Sequence, residues 1–142
     1  MAYTVSKFKL YQYLSIASLL FALIGFSYNL WRLEVSEHNT QVRTASFELL
    51  IQLSEFEQVV FSAFYDNDPK QGNPRKGWVK VTLVKDLSLL INESVNARAQ
   101  ALFTRWQEDW QAIESGSGDL ELINDKIEQL RNEVRKTLKA LN

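Results

Sequence analysis

Apolar residues along this chain follow two patterns. The first is a near-continuous run. No residue between Lys9 and Arg32 is charged, and the stretch carries Leu14, Ile16, Leu19, Leu20, Phe21, Leu23, Ile24 and Phe26. About 20 apolar residues at roughly 1.5 Å rise span a hydrocarbon core of about 30 Å. Tyr11 and Tyr13 stand at one end of the run, Tyr28 and Trp31 at the other. Aromatic rings with a polar tip favour the headgroup layer, so these residues mark two interfaces. A single transmembrane helix is expected over 10–31, after a short tail over 1–9. Gly25-Phe26-Ser27 is a weak match to a signal-peptide cleavage site, but the apolar run is long for a signal peptide.

The second pattern is a helical period interrupted twice. Pro69, Pro74, Gly72 and Gly77 all fall within 66–77, and Gly116 and Gly118 fall in Ser115-Gly116-Ser117-Gly118. The segments between these breaks contain neither residue type, as helices prefer. The first, over 33–64, follows the apolar run without a breaker. Its Val35, Val42, Ala45, Leu49, Leu53, Phe56, Val60 and Ala63 recur at steps of three, four or seven. Phe47, Leu50, Ile51 and Phe61 widen that stripe, which implies more than one neighbour. The second segment, over 78–114, carries Val84, Leu87, Ile91, Val95, Ala99, Leu102, Trp106, Trp110 and Ile113 at helical spacing. Its first residues, from Trp78 to Leu83, are β-branched and partly alternating, but a strand there has no partner strand, so helix is the expectation. The third, over 119–141, opens on Asp119 and Glu121 and closes on Lys136 and Lys139, charges that suit the two ends of a helix. Leu120, Ile123, Ile127, Leu130, Val134, Leu138 and Leu141 form its apolar stripe.

Short breaks between long helices imply antiparallel neighbours. The fold expected is all-α: one N-terminal transmembrane helix continuing into an antiparallel three-helix domain, bundle or coiled-coil-like, over 32–142. In that arrangement the chain turns far from the membrane at 66–77 and near it at 115–118. The wide first stripe, with Trp106 and Trp110 as candidate helix-interface residues, leaves room for a fourth helix from another copy or a partner.

Charge adds topology and exclusions. Lys7, Lys9 and the free amine precede the apolar run with no acid among them. Basic residues stay on the cytoplasmic side, so the bulk of the chain is expected outside the cytoplasm, in the periplasm of a Gram-negative cell. All 17 acidic residues follow Arg32, against 13 of the 16 basic ones (Lys7, Lys9 and Arg32 are the others), leaving this part at −4. That balance lacks the clustered basic face that nucleic acid requires. The absence of cysteine excludes thiol catalysis, disulfides and cysteine-ligated zinc.

Candidate chemistry is sparse. His38 is the single histidine, too little for a histidine metal site or a catalytic triad. Asp66-Asn67-Asp68 begins like a calcium loop, but Gln71 stands where the turn glycine belongs and Gly77 where the closing acid belongs. An Asx turn shaped by proline explains the same composition. Glu108 and Asp109 are adjacent, about 100° apart on a helix, which does not aim two carboxylates into one cleft. No phosphate loop, nucleophile elbow or dinucleotide fingerprint occurs. No catalytic residue, metal site or cofactor is expected.

Two surface features remain. Ser15, Ser18, Ala22, Gly25 and Asn29 step by three and four along the apolar run, a stripe of small or polar residues that lets another membrane helix approach closely. Lys70, Arg75, Lys76 and Lys80 cluster beside Trp78 at the expected tip, a candidate surface for an acidic partner, an anionic polymer or lipid headgroups; a solvated loop accounts for the same charges. The leading functional expectation is a non-enzymatic, single-pass scaffold or interaction subunit of an envelope membrane complex. Its expected partners are membrane lipid, other membrane or envelope proteins, and further copies of itself in a homo-oligomer, without nucleic acid. The alternative is a membrane-anchored sensory or regulatory module that binds a small ligand or partner between its helices.

Overall fold

The computed structural model describes residues 2–66 and 68–141, with side chains from residue 9 onward. Among the described residues it is all-α, with four helices: α1 (Ala2–Phe64), α2 (Pro74–Ser88), α3 (Glu93–Glu114) and α4 (Leu120–Ala140). The chain divides into two units, Met1–His38 and Asn39–Asn142.

The first unit is the N-terminal part of α1. Every large apolar side chain from Leu10 to Leu33 is more than half exposed. This is the one helix among the described residues that is long and apolar enough to cross a membrane. Soluble proteins rarely leave so large an apolar surface in water. The length and composition are consistent with a membrane span.

The second unit is an up-down-up-down four-helix bundle. Its pairings follow from side-chain contacts. Lys80 of α2 meets Glu55 and Gln52 of α1, and Gly72 just before α2 lies against Ala63 near the end of α1, so α1 and α2 are antiparallel. Ser88 of α2 bonds Asn96 of α3 at 3.1 Å, while Trp78, near the other end of α2, packs on Phe103 and Trp106. Ser94 reaches Glu133 at 2.8 Å and Arg98 reaches Gln129 at 3.1 Å, which sets α4 against α3. Arg131 of α4 then closes the ring onto Glu57 of α1.

The sequence predicts one helix over 78–114 and hence three helices. The structure has two helices there and four among the described residues. The chain leaves α2 through three successive i→i−3 bonds, from Leu89 to Asp86, Leu90 to Leu87 and Ile91 to Ser88. Such tightening ends a helix without proline or glycine. Asn92 is extended (φ −164°, ψ 170°), and its Oδ1 accepts from the Val95 N–H at 2.8 Å, starting α3 afresh. Folding back lets Val81 and Val84 of α2 and Val95, Ala99 and Leu102 of α3 all reach full burial. A straight helix would bury one stripe against α1 and α4 only. The room that the wide stripe left for a fourth helix from another copy or a partner is thus filled by the chain itself. The loops at 65–73 and 115–119 consequently lie at one end of the bundle, not at opposite ends. The turn after α2 and the end of α4 share the other, where Asn92 bonds Thr137 at 2.9 Å and Arg43 reaches the Leu141 carbonyl at 3.5 Å.

The helix starts otherwise follow ordinary capping. Asn73 caps α2 with Pro74 at the first helical position, which places this start ahead of the expected residue 78. Asp119 caps α4 by accepting from Glu121 and Leu122. The α3 end is a Schellman motif: Gly116 has φ +70°, Ser117 N–H bonds the Ala112 carbonyl at 2.9 Å, and Gly116 N–H bonds that of Ile113 at 3.0 Å. The α4 stripe is buried from Leu120 to Val134. On α1, Val42 to Ala63 are buried as expected, whereas Val35 is 42% exposed and outside the core.

Two substitutions test this fold by circular dichroism melts of the full chain in mild detergent. Leu130→Asp places a charge at a fully buried position and is expected to lower stability by several kcal/mol. Asn92→Ala removes the α3 cap and is expected to cost about 1 kcal/mol. A continuous helix through residue 92 would instead be stabilised by alanine there.

Candidate functional site

The end of the bundle that holds both long loops also holds a cleft of about 560 Å³. One wall is the loop and the start of α2: Asp68, Pro69, Gly72, Asn73, Pro74, Arg75 and Trp78. The other is the last turns of α3, with Trp110 and Glu114, and Ala63 of α1 completes the lining.

The loop wall is fixed by its own backbone. Asp68 Oδ1 accepts from the N–H groups of Lys70 (2.8 Å) and Gln71 (3.1 Å), and Gly72 N–H bonds the Asp68 carbonyl at 2.8 Å. This is the Asx turn that the composition suggested. Asn67 lies outside the described residues, so the calcium-loop pattern is judged on Asp66 and Asp68 alone. Among the described residues no group of three or more His, Cys, Asp or Glu side chains is placed to hold a metal.

The two indoles are held from behind. Trp78 is half-buried and makes edge contacts with Phe103 (5.7 Å between centroids) and Trp106 (6.3 Å). Trp110 is half-buried and packs on the core. Trp106 itself is only 1% exposed, meets Phe56 edge-on at 5.1 Å, and lies against Gly77. A Cβ on Gly77 would overlap the Trp106 ring, so glycine is what allows α2 this close to α3. Of the Trp106/Trp110 pair expected at a helix interface, Trp106 is therefore covered within the chain. Its Nε1–H has no hydrogen-bond acceptor among the described residues.

The basic tip separates into parts. Lys70, Arg75 and Lys76 are exposed on the loop and the first turn of α2. Lys76 makes a long 3.4 Å contact to Gln71. Lys80 lies one turn further, on the α1–α2 seam, where Gln52 (2.9 Å) and Glu55 engage it. Arg75 and Glu114 have no side-chain hydrogen bond or ion pair among the described residues.

Other candidate positions are dispersed. Ser15, Ser18, Ala22, Gly25 and Asn29 are exposed in the first unit, and a Cβ at Gly25 would meet nothing. His38 is exposed at the end of that unit. Glu108, exposed, and Asp109, largely buried, both pair with Arg105 on the same helix, which accounts for their charges. Asp68, Trp110 and Glu114 belong to one cleft only because α3 returns to the 66–73 loop; no spacing in the sequence brings them together.

The chain matches no protein-family model, no curated protein and no solved structure.

Gly77→Ala tests the packing behind the cleft. Overpacking against Trp106, which Phe56 and Trp78 hold in place, is expected to cost about 1–3 kcal/mol and to change the near-ultraviolet tryptophan dichroism. An unaltered melt and spectrum would show that α2 does not approach Trp106 this closely.

Proposed function

We propose that this protein is a non-enzymatic, single-pass membrane subunit whose bundle docks on other envelope membrane proteins. The observation that carries the reading is the apolar surface that α1 leaves uncovered. Its first part, Leu10 to Leu33, suits lipid. Within the bundle, Phe47 (55% exposed), Ile51 (52%) and Phe61 (36%) lie on the side of α1 opposite its buried stripe, with Tyr65 (69%) just beyond. Exposed aromatic and aliphatic side chains in one stripe are the usual core of a protein interface. The small residues Ser18, Ala22, Gly25 and Asn29 suit a close helix contact in lipid. The scarcity of catalytic groups in the sequence supports docking over turnover.

In this reading the N-terminal tail, with Lys7 and Lys9, stays in the cytoplasm and the bundle lies outside. A periplasm-active reporter fused after Asn142 is then active and a cytoplasm-active one silent; the reverse pattern overturns the orientation.

Assembly is tested by crosslinking and co-purification of the full chain in mild detergent, with mass spectrometry of what accompanies it. Gly25→Leu has room in the isolated chain and adds hydrophobicity, so insertion survives. It separates helix backbones wherever close approach is needed, and partner recovery falls. Phe47→Ser and Phe61→Ser lower recovery likewise without lowering the melting temperature. Wild-type recovery in all three variants contradicts docking through α1.

A further inference from the structure

We propose that the outer face of α1 pairs with the same face of a second copy of this chain, the two α1 helices lying parallel and in register. The proposal rests on the reading of α1 as a docking face and names what covers it.

The first observation is the make-up of the face. Within the bundle unit Phe47, Ile51, Ser54, Gln58, Phe61 and Tyr65 are all exposed and follow one another at steps of three and four. Phe61 and Tyr65 already pack on each other, with ring centroids 5.9 Å apart. In a parallel pair in register, each position of such a stripe meets the same residue of the other copy, so a charge on it would face its like. The stripe carries none. In the sequence its stepping runs back through Thr44, Thr40, Ser36 and Leu33 to Asn29 and the small residues Gly25, Ala22 and Ser18. Arg32, Glu34, Glu37, Arg43, Glu48, Glu55 and Glu57 fall along this stretch, and every one lies off the series. A different partner sets no such requirement, because it can meet a charge with its opposite.

The second observation is which charges border the series. Arg32 and Arg43 each stand one residue before a position of it, Leu33 and Thr44, while Glu37 and Glu48 each stand one residue after, at Ser36 and Phe47. Arg32 and Glu37 are five residues apart, and so are Arg43 and Glu48. Five is the offset at which a residue flanking the seam of one parallel helix meets the facing flank of its partner, and two-fold symmetry makes each such pair twice. Arg43 and Glu48 are both exposed. A guanidinium has five N–H donors, enough to serve the Leu141 carbonyl and a carboxylate together. The other acids bordering the stripe within the bundle, Glu55 and Glu57, are engaged inside the chain by Lys80 and Arg131. The third argument is orientation. Copies anchored by the same helix insert the same way round, so they meet in parallel.

The chain has no cysteine, so single cysteines report the pairing directly. Ser54→Cys and Ser18→Cys lie on the series, and Gln107→Cys is exposed on α3. The full-length variants are oxidised in native membranes and run on a non-reducing gel. The two α1 variants are expected to give a disulfide-linked dimer of this chain, and Gln107→Cys about tenfold less of it. Sedimentation equilibrium of the full chain in mild detergent supplies an independent measure. Arg43→Glu sets like charges against each other in both pairs and is expected to weaken dimerisation by about tenfold. Adding Glu48→Arg to the same chain restores opposite signs and most of the affinity. That rescue is peculiar to a second copy, since a different partner would lose both contacts. A monomeric wild type, no dimer from Ser54→Cys, or a double variant no stronger than the single one overturns the proposal. If a bifunctional maleimide instead joins Ser54→Cys to a different protein, the second copy is wrong and the docking reading stands. If it joins that variant to nothing, both fall.

Discussion

Trp106 occupies the point where three helices meet, and the placing of the other elements follows from covering it. Phe56 of α1 presents its edge at 5.1 Å, and Trp78 of α2 closes a second side at 6.3 Å. Gly77 admits α2 to the ring face because it has no Cβ to collide. An indole buries roughly 150–250 Å², more than any aliphatic side chain here, so leaving it open would forfeit the largest single hydrophobic gain in the bundle. The gain exceeds the cost of an indole N–H without an acceptor, on the order of 1–3 kcal/mol. α2 must therefore lie beside α3, which it can do only if the chain reverses between them.

Ion pairs fix how far each helix slides along its neighbours. Lys80 bridges Gln52 and Glu55 across α1 and α2. Arg131 sits between Glu57 of α1 and Glu128 of its own helix, with its side chain only 13% exposed. Burial by itself lowers the Arg131 pKa, but the hydrogen bonds and charges of Glu57 and Glu128 outweigh it and hold the value above that of an ordinary arginine. The guanidinium thus stays charged at every pH the protein meets. Apolar stripes alone tolerate a slip of a turn, because the next turn presents similar residues; a half-buried arginine with fixed acceptors does not. Register matters at the loop end, where Trp78 and Trp110 face one cleft only at this alignment.

Much of this was legible in the residues. Lack of charge from residue 10 to residue 31 sets the apolar part of α1, because a span needs length and few charges, both local properties. The α4 stripe from Leu120 to Val134, the buried face of α1 from Val42 to Ala63, and the break at Ser115–Gly118 follow from period and from the placing of glycine. Pro69, Pro74 and the glycines near them announce a loop for equally local reasons.

Only the tertiary structure decided the break at 89–92 and everything that depends on it. Ser88 to Glu93 contains neither proline nor glycine, and asparagine, though it favours a cap, is only modestly unfavourable inside a helix. The difference between continuing and stopping there is about 1 kcal/mol locally, far less than the gain from burying Trp106, Val81 and Val84 against one another. Packing therefore overrode the period, turned an expected three-helix domain into a closed four-helix bundle, and moved the Ser115–Gly118 turn beside the 66–73 loop. The cleft is a product of that return. Asp68, Arg75, Trp110 and Glu114 lie on three separate segments, and sequence spacing carries no information about which helix ends will meet.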